Sequence, residues 1–139
     1  MVQALSDAIH ARLVSDETLA GMLAPYRGKP AAFTGRTVPT DAVAPYAHVR
    51  PVSDGPYDTL KARGRDVTRD VVFFGSDTTS DARMSDLVER ARGLFHRQPL
   101  TVAGYHVVSL AVVDAGPAPD EAGINGRVVT IRALLRETS

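Results

Sequence analysis

The chain has 139 residues, 44% of them apolar, no cysteine, and 16 basic side chains balanced by 16 acidic ones. That size fits one domain spanning 1–139, with a core that buries about two thirds of the unfolded surface. Neutrality removes the simplest argument for nucleic-acid binding, the missing thiols remove disulfides and thiolate metal sites, and no apolar run nears the ~20 residues that cross a membrane.

Leu5, Ile9 and Leu13 recur at helical spacing with alanines between them, which predicts an amphipathic helix over 2–13. The opening MVQALSDAIH has no basic region followed by an apolar run, so no signal peptide is expected. Ser15-Asp16-Glu17 reads as a fresh N-cap for a short second helix carrying Leu19, Met22 and Leu23, which Pro25 ends. Residues 26–44, rich in Gly, Pro and Thr, read as a long connection with a short strand at 36–38. Tyr46 to Val52 alternates between Pro45 and Pro51 and predicts a short or edge strand.

The polar stretch 53–64 reads as a loop or hairpin tip. A strong strand follows over 65–74, with Val67, Val71 and Phe73 on one face and Val72 and Phe74 on the other. Thr79-Ser80-Asp81 opens the best helix, whose stripe of Met84, Leu87, Val88, Ala91, Leu94 and Phe95 ends before Pro99. Residues 100–103 and 105–113 then suggest a hairpin around Gly104, 114–125 an acidic loop, and Asn125-Gly126 a turn. The closing strand, 127–136, places Val129, Ile131, Ala133 and Leu135 on one apolar face. Strands joined by short turns predict an α+β fold: a mostly antiparallel sheet with the N-terminal helix and one long central helix packed on it.

Chemistry is hard to find in this pattern. His10, His48, His96 and His106 share no metal-site spacing, and no nucleophile-elbow glycines surround Ser109. GKPAAFTG lacks the spacing of a phosphate loop. Asp54, Asp58, Asp66 and Asp70 alternate with Lys61, Arg63, Arg65 and Arg69, which reads as a solvated, self-neutralised loop. No catalytic, cofactor-binding or metal residue is therefore assigned. Two rival readings stay open: a small α+β ligand- or nucleic-acid-binding module using Arg63, Arg65 and Arg69, and a hydrolase using His106 and Asp114.

The whole pattern resembles the tail-completion, or tail-terminator, proteins of long-tailed, siphovirus-like bacteriophages and gene transfer agents. The likeness rests on ALSDAIHARLVSDETLAGML, the proline-rich approach VAPYAHVRPV, the passage from DVVFFGSD into DLVERARGLFHRQPLTVAGYHVVSL, and the ending GRVVTIRALLRE. One departure is that the strand before the long helix keeps its aromatics, Phe73 and Phe74, at its end. The resemblance implies a non-enzymatic virion protein, assembled in the host cytoplasm, that forms a homo-hexameric ring at the tail neck. That ring caps the head-proximal end of the tail tube, meets the tube protein and a head-tail connector or stopper, and lets DNA pass without sequence-specific binding. It implies no cofactor and no membrane contact. The polar loops between strong strands make Asp54, Tyr57, Asp58, Lys61, Arg63, Arg65, Asp120, Glu121, Arg132 and Arg136 the expected contact residues.

Overall fold

The computed structural model describes residues 2–117 and 125–138. Three helices, Gln3–Ser15 (α1), Glu17–Met22 (α2) and Asp81–Phe95 (α3), pack against a sheet of Ala32–Phe33 (β3), Tyr46–Pro56 (β4), Gly64–Gly75 (β5), Tyr105–Pro117 (β6) and Asn125–Glu137 (β7). A separate two-stranded ribbon pairs Pro25–Tyr26 (β1) with Lys29–Pro30 (β2). The sheet order is β3-β4-β5-β7-β6, antiparallel except for the short β3–β4 pair. The fold is thus α+β with a mostly antiparallel sheet. At 15 residues α3 is scarcely longer than the 13 of α1, so no helix stands out as central by length.

Periodicity explains the core. Val67, Val71 and Phe73 of β5 and Val129, Ile131, Ala133 and Leu135 of β7 point to the helices, where they meet Leu5, Ile9, Leu13, Met84, Leu87, Ala91 and Phe95, all fully buried. Asp16 ends α1 and caps α2 by accepting the Leu19 N–H at 2.9 Å, and Ser80 caps α3 through Arg83 N–H. Asp16 also receives a two-pronged bond from Arg90 on α3. That bond holds its carboxyl below the ordinary value against the opposing effect of burial.

Several sequence expectations are corrected. No strand forms at 36–38; the strands lie earlier, because Arg27 and Gly28 both take positive φ (49° and 81°) and turn β1 into β2. β4 runs on through Pro56, since Pro51 sits on the sheet edge beside a bulge, where its missing N–H costs nothing. Residues 100–103 form no strand; only Val102 bridges Tyr105 across the Gly104 turn. β6 extends to Pro117, and Asn125-Gly126 begins β7 opposite Gly75 and Phe74, so neither residue forms the expected turn. The rest of the expected acidic loop, 118–124, lies outside the described residues.

The helix-free face is built differently. A run of rings, Tyr26, Phe33, Tyr46 and Phe74, crosses it with centroids 5.1–6.1 Å apart, and Arg50 lies over Phe74. Beyond them Asp70 accepts from Thr130 at 2.7 Å, and Arg132 forks onto Asp66 at 2.6 and 2.9 Å.

Candidate interaction surface

The β4–β5 hairpin carries six of the ten expected contact residues, four of them on a tip, 57–63, that is ordered by its own bonds. The Tyr57 N–H donates to Gly64 O, Thr59 N–H to Ala62 O, and Gly64 N–H to Asp58 Oδ1. The Glu137 N–H reaches Arg63 O at 2.8 Å, which ties the tip to β7. Lys61, Arg63, Arg65 and Arg136 are exposed, and Tyr57 is 44% exposed. Beside them lies a groove of about 650 Å³, lined by Ala62, Val108 and Leu135 together with the charged Lys61, Arg63 and Arg136.

Asp54 belongs elsewhere. Together with Arg69 it contradicts the picture of a solvated, self-neutralised loop. Arg69 is 1% exposed, and its guanidinium donates to Asp54 at 2.6 Å, Ser6 Oγ at 2.9 Å and Val2 O at 3.1 Å. The ion pair therefore staples the start of α1 to the sheet, and Arg69 is withdrawn as a nucleic-acid contact. Arg132 is half-spent on Asp66, whose carboxyl its hydrogen bonds hold below the ordinary value. His106 and Asp114 sit eight positions apart on one extended strand, roughly 25 Å, so they share no site and the hydrolase reading fails. Asp120 and Glu121 lie outside the described residues.

Sequence reasoning missed two apolar features. Leu60 stands fully exposed at the tip of the turn, although an apolar residue inside the polar run Asp58–Arg65 was a visible signal. The other is a set of three sheet-edge bulges. The ladders shift register at Val52 on β4 and at Val108 and Val113 on β6, and these valines are 51–54% exposed. The β6 edge is further closed where Arg97 N–H donates to Leu110 O and Val112 N–H to His96 Nδ1. Freely accessible edges, which a strand-adding partner needs, are therefore not what this sheet offers.

Gly64 marks the tightest backbone approach in the hairpin. A Cβ there would collide with Tyr57 O and lie 2.8 Å from Leu135 O, both main-chain atoms. Gly64→Ala is expected to cost about 1–3 kcal/mol and to loosen the tip. Thermal melting with limited proteolysis within 57–63 reads both effects, and an unchanged melt with an uncut tip would refute the expectation.

No curated protein matches this sequence. Among solved structures, a chain of "Virion of native gene transfer agent (GTA) particle" superposes with a TM-score of 0.77 over 96% of both chains, at 18% identity, which is a likeness of fold. A family model described as "Tail completion protein gp17" matches residues 7–136. That span includes β3, β4, β5 and β6, all of β7 but its last residue, α3, and every residue lining the groove, so this chain belongs to the tail completion protein gp17 family.

Proposed function

We propose that this chain is a structural subunit of the virion tail neck, acting as one domain. Copies of it form a homo-hexameric ring that caps the head-proximal end of the tail tube and joins it to the head connector or stopper. DNA passes through the ring without sequence-specific contact, and no covalent chemistry is involved. The family match over residues 7–136 carries the reading. The architecture supports it: a stiff sheet backed by helices presents different surfaces at its two ends, as a ring of identical subunits requires.

The hairpin tip is the proposed contact with a neighbour or the tube. Pro56 and Arg65 form the last ladder pair and the Tyr57 N–H still reaches Gly64 O beyond it, so Asp58–Arg63 can be replaced by Asn-Gly, a natural two-residue hairpin turn. The shortened chain is expected to melt like the parent, while joining of heads to tails falls about tenfold or more, the equivalent of ~1.4 kcal/mol of lost contact. Undiminished joining, counted in images of particles, would remove the tip from the assembly.

A further inference from the structure

We infer that His96 is an acid-sensitive latch on the outer edge of β6: the neutral ring holds that edge shut, and the doubly protonated ring releases it. The inference is independent of the ring reading and rests on which imidazole nitrogen donates and which accepts.

Both outer edges of the sheet are closed by a histidine. At β3 the carbonyl Ala32 O lies 2.8 Å from His10 Nε2 on α1. A carbonyl only accepts, so Nε2 carries the proton. At β6 the Val112 N–H donates to His96 Nδ1 at 3.0 Å, one residue past the end of α3. A backbone N–H only donates, so this Nδ1 is bare. The two contacts therefore respond oppositely to a second proton, which lands on Nδ1 in both rings. His10 keeps its Nε2–H, and the added charge strengthens its bond. His96 loses its acceptor, and two N–H groups then point at each other. Acid opens one edge of the sheet and not the other.

Nothing around His96 rescues the contact. Its own segment carries Arg92 and Arg97, α1 carries Arg12, which donates to Leu94 O, and β6 carries Asp114, whose carboxylate accepts from the Ala115 N–H. Asp16, between α1 and α2, is taken by Arg90, and Glu17 beside it is exposed. The β7 residue opposite Val112 is the buried Ile131, and Arg132 next to it forks onto Asp66 on the helix-free face. Among the described residues no carboxylate pairs with His96. The ring is half-buried, so protons reach it. Arg97 makes the second bond of the closure, donating its N–H to Leu110 O from φ 56°, a left-handed conformation that glycine adopts more readily. That bond is held against local strain and leans on its neighbour, so release of His96 frees Val112 N–H and loosens Leu110 O together. These are the groups that an added strand bonds. His48 on β4 also accepts through Nδ1, from Arg50 Nε at 2.9 Å, which gives acid a second point of action in a different part of the sheet.

Nuclear magnetic resonance of the isotope-labelled chain reads the latch directly. At about pH 8 a scalar coupling across the N–H···N bond is expected between the Val112 amide and His96 Nδ1, and it should vanish by about pH 5 as the ring takes its second proton. Over the same range the Val112 amide, corrected for its intrinsic rate, should exchange about tenfold faster, while Ala47, whose N–H donates to Ala31 O in the β3–β4 pair, should not change. His96→Asn keeps an acceptor near the place of Nδ1 and does not titrate, so Val112 should stay protected at both pH values. His96→Ala should leave it unprotected at both. No coupling at the higher pH, a ring still neutral at the lower one, or a protonated ring beside an unchanged Val112 amide would each overturn the inference. Equal quickening at Ala47, or the same quickening in His96→Asn, would overturn it too and assign the acid response to His48.

Discussion

Replacing Arg69 by methionine is expected to lower the free energy of unfolding by about 3–5 kcal/mol, a melting-point drop on the order of 10–20 °C. Methionine fills much of the volume but leaves the Asp54 carboxylate, Ser6 Oγ and Val2 O without the donor they share. A half-removed buried pair costs more than the intact pair contributes, so adding Asp54→Leu to Arg69→Met should recover much of the loss. Acid provides a second readout. Burial raises the Asp54 carboxyl, but the Arg69 bond and the Val2 N–H outweigh it and hold the group below its ordinary value. Its stabilising effect is then complete above the unfolded-state value near about 4, and it disappears as pH falls through the lower folded value. Denaturant titrations across that window should show a shallower acid-side decline in Arg69→Met than in the parent. Parallel declines would place the pair's energy elsewhere.

Phe95→Ala should be comparably severe, at about 3–5 kcal/mol. The ring is fully buried at the last position of α3, where three elements converge. Next to it Leu94 O accepts from Arg12 on α1, while His96 and Arg97 bond to β6 at Val112 and Leu110. Losing the ring opens a cavity beneath all of these links. Amide exchange at Arg97 and Val112 should therefore quicken more than at the centre of β5, and Phe95→Leu should cost less than half as much. A loss under about 1 kcal/mol would mean that the surroundings collapse into the gap.

Where the chain is strictly periodic, it could be read directly. The stripe of α3 and the alternation of β7 predict the buried residues correctly because burial on one face imposes the period. The misses occur where tertiary context overrides local chemistry. Arg27-Gly28 turns a ribbon without the usual Asn or Asp, and Pro51 is tolerated because it lies past the end of short β3, where that side of β4 has no neighbouring strand. Arg69 had a signal that its acidic neighbours masked: it shares the phase of Val67, Val71 and Phe73, and hence faces the core. The polar hairpin tip was legible as an exposed turn between two strong strands. Its groove was not, since Val108 and Leu135 come from strands far away in sequence.

The valines at the ladder slips have a consequence for timing. A polypeptide that waits in a crowded cell for its place in an assembly order faces the hazard of cross-β stacking, which needs a long uninterrupted row of free amides and carbonyls. Slips at Val52, Val108 and Val113 bend β4 and β6 away from the straight, regular form that such stacking needs. Growth by stacking is thereby disfavoured, and a virion protein gains from parts that do not polymerise without limit on their own.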